Sequence, residues 1–432
     1  MENIPKDPLW EIANELSNGD LMNLCLTNKR YYNLVCNNKE FWFWRIYKRF
    51  GYIDISDSLR QVCLNNPKCI WDILTMNILY MFGENDHGQL GTGDINDIEK
   101  LTFVMSNVRY VSCGNGHTGV ITIDNKLFTF GNNDKGQLGT GDTQDRSTPI
   151  NVMNDIRYVS CGDESSTGVI TTDNELYMFG NNDKGQLGTG DTQNRSTPIN
   201  IMSNNDKGQL GTGDTQNRST PINIMSNIRH VSCGGNHTGL ITTDNKLLMF
   251  GNNDKGQLGT GDTQNKLTST KIMSNVRYVN ISDDHTGAIT IDNELFMFGN
   301  NDVGQLGTGE SGNFVVTPTK IMSNVRDVNC GFGYTGVIAT DNKLFMFGHK
   351  DTGQLGTGDI DNIVATPTEI KNNIRYVSCG GYHTGVITID NKLFIMFGHN
   401  GSQLLLPVEI MPNARYVSCG RFHTGIISKT IY

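Results

Sequence analysis

The sequence predicts an all-β seven-bladed β-propeller preceded by a small α-helical domain, on three observations. The heptapeptide GQLGTGD, or a close variant, begins at Gly88, Gly136, Gly185, Gly208, Gly256, Gly304 and Gly353, mostly at intervals of 48 or 49 residues. A second signature, R-Y-V-S-C-G followed by H-T-G, occurs once per repeat and counts seven units; its cysteine position falls at Cys113, Cys161, Cys233, Ile281, Cys330, Cys379 and Cys419. Within a unit, short strand-like runs are separated by Gly/Asn/Asp turns, and such self-similarity at a fixed period marks a repeat architecture.

One unit shows how the strands are read. Thr118 to Ile123 alternates as a strand, Asp124-Asn125-Lys126 supplies a turn in which Asn tolerates positive φ, and Leu127 to Phe130 returns to complete a β-hairpin. Gly131 to Asp142 is a loop, Pro149 to Met153 a third strand and Arg157 to Cys161 a fourth. Four short strands per 48 residues describe a blade, and seven blades closed into a ring leave only short, protected sheet edges.

Two units depart from the pattern. Residues Asn182 to Asn204 are repeated letter for letter as Asn205 to Asn227, which adds a loop and a third strand but neither a hairpin nor a fourth strand. This duplication therefore makes no eighth blade: one copy should fill the blade while the other protrudes or adds an outer strand. Because the copies are identical, the sequence does not say which Pro-Ile-Asn-Ile-Met run pairs in the sheet. It reads as a replication accident tolerated at a surface loop. In the last unit only 40 residues separate Cys379 from Cys419, the loop shrinks to Gly401-Ser402-Gln403-Leu404, and that blade should be the shortest.

The segments FGNNDKGQLGTGD, the following Thr-Pro and the SCGxxHTG signature resemble the repeats of the regulator of chromosome condensation family, from about Ile78 to the C-terminus. WD repeats are a poorer match, since their period is shorter and the Trp71-Asp72 pair lies outside the repeats.

Residues 1–50 read as a helical segment and 51–77 as a helical linker. Asp7 caps a helix with Pro8 at its first position, Leu9, Ile12, Ala13 and Leu16 share an apolar face, and Gly19 closes it. A second helix starts at Asp20 with Leu21, Leu24 and Cys25, and Phe41, Trp42 and Ile46 mark a third. The order Ile4, Pro5, Leu9, Ile12, Leu16, Leu21, Leu24, then Tyr31, Leu34 and Phe41-Trp42, resembles an F-box. That resemblance implies docking on the Skp-type adaptor of a cullin ubiquitin ligase through Ile4, Pro5, Leu9, Ile12, Leu16, Leu21 and Leu24. A unit of about 40 residues buries little surface by itself, which suits a partner-dependent role. The alternative is a set of helices that caps the first blade.

Composition narrows the function further. Thirty-five Lys plus Arg against 44 Asp plus Glu give −9, and residues 1–77 carry nine of each sign, so the whole acidic excess falls on the repeats. That balance argues against a bulk surface that grips nucleic acid. No stretch is apolar enough for a membrane helix and MENIPKDPLW lacks signal-peptide features, so a soluble, intracellular monomer is expected. Six of the ten cysteines recur at one repeat position and the rest lie in the helical region, which points to free thiols. The abundance of Asn, Ile, Lys and Tyr resembles coding from AT-rich DNA.

His117, His237, His285, His383 and His423, four residues after their cysteine or Ile281, invite a metal reading. CxxC pairs and an HExxH helix are missing, and Ser166 and Tyr334 replace two of the histidines, so packing near the channel with the His bonded to backbone is the better reading. GQLGTGD lacks the Lys-Ser/Thr of a P-loop and the spacing of an EF-hand. The run from Phe41 to Phe50 is basic and aromatic, but Phe43, Ile46, Tyr47 and Phe50 at helical spacing read as core. No catalytic residue, cofactor or metal is expected.

The function expected is therefore non-catalytic: a substrate-recruiting subunit of a cullin-type ubiquitin ligase, with an unknown protein target on the propeller loops. Guanine-nucleotide exchange on a Ran-like GTPase, the activity for which the resembling family is named, and a scaffold with no ubiquitin link are the alternatives.

Overall fold

The structure, a computed structural model, describes residues 76–163, 165–201, 226–358, 363–397 and 407–429, together with Ala13, Val35, Asn38, Phe41, Trp42 and Arg45. The chain divides into two compact units, Met1–Met76 with Tyr432, and Asn77–Ile431. In the first, Phe41, Trp42 and Arg45 are helical and buried, with the two rings edge-to-face at 5.3 Å and the Arg45 guanidinium 5.4 Å from the Trp42 ring. The candidate adaptor-binding residues Ile4, Pro5, Leu9, Ile12, Leu16, Leu21 and Leu24 lie outside the described residues. Among the described residues no helix is long and apolar enough to cross a membrane.

The second unit is a seven-bladed propeller of four-stranded antiparallel sheets. Blade 1 takes its outer strands, β1 (Asn77–Gly83) and β2 (Ile98–Ser106), from the start of the unit. Blade 2 consists of β3 (Val108–Cys113), β4 (His117–Thr122), β5 (Leu127–Gly131) and β6 (Arg146–Met153) in that order from the axis outward. Blade 3 follows with β7 (Ile156–Cys161), β8 (Ser166–Thr171), β9 (Leu176–Gly180) and β10 (Arg195–Ile201). Blade 4 has β11 (Ile228–Cys233), β12 (His237–Thr242), β13 (Leu247–Gly251) and β14 (Lys266–Met273). Blade 5 has β15 (Val276–Ile281), β16 (His285–Thr290), β17 (Leu295–Gly299) and β18 (Val315–Met322). Blade 6 has β19 (Val325–Gly331), β20 (Tyr334–Ala339), β21 (Leu344–Gly348) and β22 (Val364–Lys371). Blade 7 has β23 (Ile374–Cys379), β24 (His383–Thr388), β25 (Leu393–Phe397) and β26 (Val408–Met411). The last two strands, β27 (Ala414–Cys419) and β28 (His423–Lys429), return to blade 1 as its inner pair, with β28 against β1 from Asn77↔Lys429 to Gly83↔His423. Fastening both ends of the repeat array into one sheet closes the ring.

Two expectations are corrected here. The four strands grouped in the sequence, Thr118 to Cys161, are not one blade: β4, β5 and β6 belong to blade 2 while β7 opens blade 3. A repeat in the sequence thus straddles a blade boundary and ties neighbouring sheets covalently. The alternation expected for Thr118 to Ile123 is absent too, because all six residues of β4 are buried. Blades stack on both faces of the sheet, so the second strand has no solvent side. The duplication is resolved in favour of its first copy, whose Arg195–Ile201 pairs with β9 as the outer strand of blade 3; the second copy lies outside the described residues except for Ser226 and Asn227. Blade 7 has the shortest outer strand, four residues, as its clipped repeat implies.

The innermost strand, R-Y-V-S-C, explains itself residue by residue. Six of the seven arginines, from Arg109 to Arg375, reach the backbone of the next blade, as Arg109 Nη2 donates to Ile156 O at 3.0 Å and Arg375 Nη2 to Ala414 O at 3.1 Å. Each aromatic at the second position faces the channel, where ring centroids 4.8 to 5.0 Å apart run from Tyr376 through Tyr416, Tyr110, Tyr158 and His230 to Tyr278. Asp327 occupies the seventh position. The serine hydroxyl accepts the N–H of the cysteine position in the next blade, from Ser112 to Cys161 and round to Ser418 to Cys113, both 2.9 Å. Asn280 and Asn329 do this work in blades 5 and 6. The channel-side edge of each sheet is thereby capped by its neighbour, which leaves no open template for strand addition.

The glycine of H-T-G is the seat for that packing. A Cβ on Gly119 would stand 2.9 Å from Val159 Cγ2 and 3.1 Å from Cys161 Sγ, both on the next blade. The six signature cysteines are free and buried, and burial pushes the thiols of Cys113, Cys233, Cys330 and Cys419 up to about 12.

Candidate functional site

The propeller has two ends. One carries the β-hairpin turns, where Asn125 at φ 61 fulfils the turn expected for Asp124-Asn125-Lys126. The other carries the GQLGTGD loops and the short Cys-Gly-x-x-His turns. A buried Asn staples five of the loops: Asn133 Oδ1 accepts Leu138 N–H at 2.9 Å while its Nδ2 donates to Thr140 Oγ1 at 3.1 Å and Asp142 O at 3.0 Å. Asn85, Asn182, Asn253 and Asn301 repeat the arrangement, and Lys350 stands in that place in blade 6. Gly136, at φ +82, must lack a side chain, since a Cβ would approach Ser196 Cα to 2.4 Å.

The histidines lock blade to blade at this end, and they correct the expectation of a backbone bond. His117 Nε2 meets Thr167 Oγ1 of the next blade at 3.0 Å, and Thr167 Oγ1 spends its proton on Gln137 O at 2.8 Å. Nε2 must then be the protonated nitrogen. The same relay runs from His237 to Thr286, His285 to Thr335 and His423 to Thr118, and His383 meets Thr424. Burial holds His117 and His383 down to about 4 and His237, His285 and His423 down to about 3, so all are neutral. At Tyr334 the phenol takes over, donating to His383 O at 2.7 Å, whereas the Ser166 hydroxyl is buried without a partner. Each imidazole has its Nε2 committed to a neighbour and serves structure; among the described residues no group of three or more His, Cys, Asp or Glu is placed to hold a metal.

What varies at this end is the pair of residues inside each Cys-Gly-x-x-His turn. Blade 1 contributes Arg421-Phe422, blade 6 Phe332 and blade 7 Gly381-Tyr382, and these three neighbouring turns form one cluster. Tyr382 stacks on Phe422 at 5.2 Å and lies 5.9 Å from Phe332. The Arg421 guanidinium sits 5.6 Å from the Phe332 ring and 5.5 Å from the Phe422 ring. Gly381 makes this reach possible, because a Cβ there would meet Arg421 Cγ at 2.9 Å. Backbone bonds fix the turns to each other: Phe332 N–H to Gly380 O, Gly381 N–H to Gly420 O and Arg421 N–H to Gly114 O, 3.1 to 3.2 Å. Phe332 stays 39 % exposed, and Tyr382, Arg421 and Phe422 are half-buried.

Across the mouth the corresponding turns of blades 3 and 5 are acidic, with Asp163, Asp283 and Asp284, and burial raises the Asp284 carboxyl above its ordinary range. One rim of the mouth is aromatic and cationic, the other anionic. Sequence reasoning missed this cluster, and the legible signal was that the two unspecified positions of SCGxxHTG change character most from blade to blade.

Several solved structures share this architecture. Human WBSCR16 superposes with a TM-score of 0.68 at 20 % identity, covering 82 % of this chain and 100 % of its own. Prp20p from Saccharomyces cerevisiae gives 0.70 at 16 % identity, covering 83 % and 92 %. No curated protein matches the chain. The repeat model described as the regulator of chromosome condensation (RCC1) repeat matches residues 78–121, 124–169, 173–205, 204–241, 244–289, 292–338 and 341–387. Those seven matches are not the seven blades: two of them divide at the internal duplication, and the strands after residue 387 complete the ring unmatched. With the repeats, the staggered blades and the closing strands all in place, the chain belongs to the regulator of chromosome condensation (RCC1) repeat family.

Proposed function

We propose that the chain is a non-catalytic protein-docking platform whose partner binds the loop end of the propeller at Phe332, Tyr382, Arg421 and Phe422. The observation that carries this reading is the cluster itself. Two phenylalanines, a tyrosine and an arginine held by backbone bonds across three blades have the composition of interface hot spots, with little side-chain entropy left to lose. Everything else conserved in the repeat geometry is spent on structure. Prp20p is described with binding properties to Gsp1p and histones, and yeast RCC1 (Prp20) with bound Kap60, so related folds of this kind meet protein partners.

The finer reading adds an F-box-like segment that holds a Skp-type adaptor through Ile4, Pro5, Leu9, Ile12, Leu16, Leu21 and Leu24, making the docked protein a ligase target. It rests on the sequence pattern. The mechanism is tethering, which raises the target's effective concentration beside the transfer machinery.

Affinity capture with the full chain, read by quantitative mass spectrometry, tests both parts. Arg421→Ala with Phe422→Ala should deplete the propeller partner at least tenfold and leave an adaptor untouched, while Leu9→Asp with Leu16→Asp should do the reverse. A partner retained in full by the first variant refutes the docking site. Failure to capture any Skp-type adaptor or cullin refutes the ligase reading, and a small GTPase lost with Arg421 and Phe422 would replace it with exchange.

A further inference from the structure

We propose that the opposite mouth of the channel is a binding site for a compact anion carrying several phosphate groups. The arginine second in every innermost strand, from Arg109 to Arg415, places seven guanidinium groups around the hairpin end, one per blade. Among the described residues Arg109, Arg157, Arg229, Arg277, Arg326 and Arg375 form no ion pair with a carboxylate. Within the innermost strands Asp327 is the single acidic side chain.

The like charges act on each other: beyond burial, Arg229 and Arg109 lower Arg157, and Arg415 and Arg326 lower Arg375. A chain with a net charge of −9 has no general basic surface, so seven cations gathered at one mouth are a local feature. Their mutual repulsion is relieved most by an anion that touches several at once.

The arginines also have donors to offer. Blade clamping uses Nη2 alone in Arg109, Arg157, Arg229 and Arg375. A cavity of about 590 Å³ opens at this mouth, within the range that holds a small ligand. Among the described residues its polar wall is cationic or neutral, with Arg109, Arg375, Arg415 and Lys429 beside the amides of Asn391 and Asn413, and none of those residues is a carboxylate. Guanidinium groups favour phosphate because their paired donors match its oxygens. The position of the site inside a channel mouth favours a compact polyphosphate over an extended nucleic-acid backbone.

Isothermal titration of the full chain with inositol hexakisphosphate tests the proposal. The expected result is one saturable site whose affinity falls steeply with salt. Arg375→Gln with Arg415→Gln should weaken binding at least thirtyfold. Because Arg375 also clamps blades, Asn413→Asp provides a second test: it adds one negative charge to the wall, Asp tolerates the φ of 60° found there, and it should weaken binding at least tenfold with an unchanged far-UV circular dichroism spectrum. Arg146→Gln, at the loop end and paired with Asp142, should change nothing. No saturable binding, full affinity in Asn413→Asp, equal affinity for orthophosphate, or tighter binding of a DNA duplex would each overturn the proposal.

Discussion

Replacing Asp327 by Asn should stabilise the propeller at neutral pH and lose that advantage in acid. Asp327 takes the one channel position without an aromatic ring, between Tyr278 and Tyr376, and burial pushes its carboxyl from an ordinary 3.8 up to about 6 even though Arg326 and Arg277 pull the other way. A carboxyl with a raised value in the fold binds its proton more tightly there than in the unfolded chain. Its contribution is most favourable below about pH 4, declines between 4 and 6, and is lost above. The gap sets a ceiling of about 3 kcal/mol at neutral pH, and partial exposure to the channel reduces the expected gain to about 1–2 kcal/mol.

Equilibrium urea unfolding by far-UV circular dichroism, from pH 4.5 to 7.5, measures it. Tryptophan fluorescence will not serve, since Trp10, Trp42, Trp44 and Trp71 all precede the propeller. The buried neutral histidines act with the opposite sign, losing stability as pH falls below about 6.5, but they are common to both proteins and cancel in the difference. An Asn variant no more stable than the parent at pH 7.5, or one whose advantage is the same at pH 4.5, refutes the reasoning.

Other consequences are as direct. Thr286→Val, which deletes both the His237 contact and the bond to Gln257 O, should cost about 2–3 kcal/mol, and Thr238→Val, whose preceding blade carries Ser166 in place of a histidine, about 1–2 kcal/mol, by the same urea titration. Gly168→Ala should destabilise by about 1–3 kcal/mol, because its Cβ would meet Val231 Cγ2 at 2.8 Å and Met178 Sδ at 2.9 Å; an unchanged unfolding midpoint would contradict the blade packing. The signature cysteines should resist iodoacetamide at pH 8 in the folded protein and react in urea, as mass spectrometry of the labelled chain would show.

Much of the fold was legible because a propeller repeats one local solution. GQLGTGD needs glycine at positive φ, the hairpin needs Asn125 and its equivalents, and counting R-Y-V-S-C gives the blades despite the duplication. The candidate site was not legible, because Phe332, Tyr382, Arg421 and Phe422 lie 39 to 50 residues apart from one turn to the next and meet only where three blades converge.

The sequence by itself determined that this is a seven-bladed propeller, that a duplicated stretch adds no blade, and that the last blade is clipped, since each follows from short-range periodicity and turn chemistry. Only the tertiary structure decided where one blade ends and the next begins, which duplicate pairs, how the two ends of the array share a sheet, and that histidine answers to threonine across a blade boundary. These depend on contacts between strands from different repeats, and nearly identical repeats carry almost no information about which copy faces which until the ring closes.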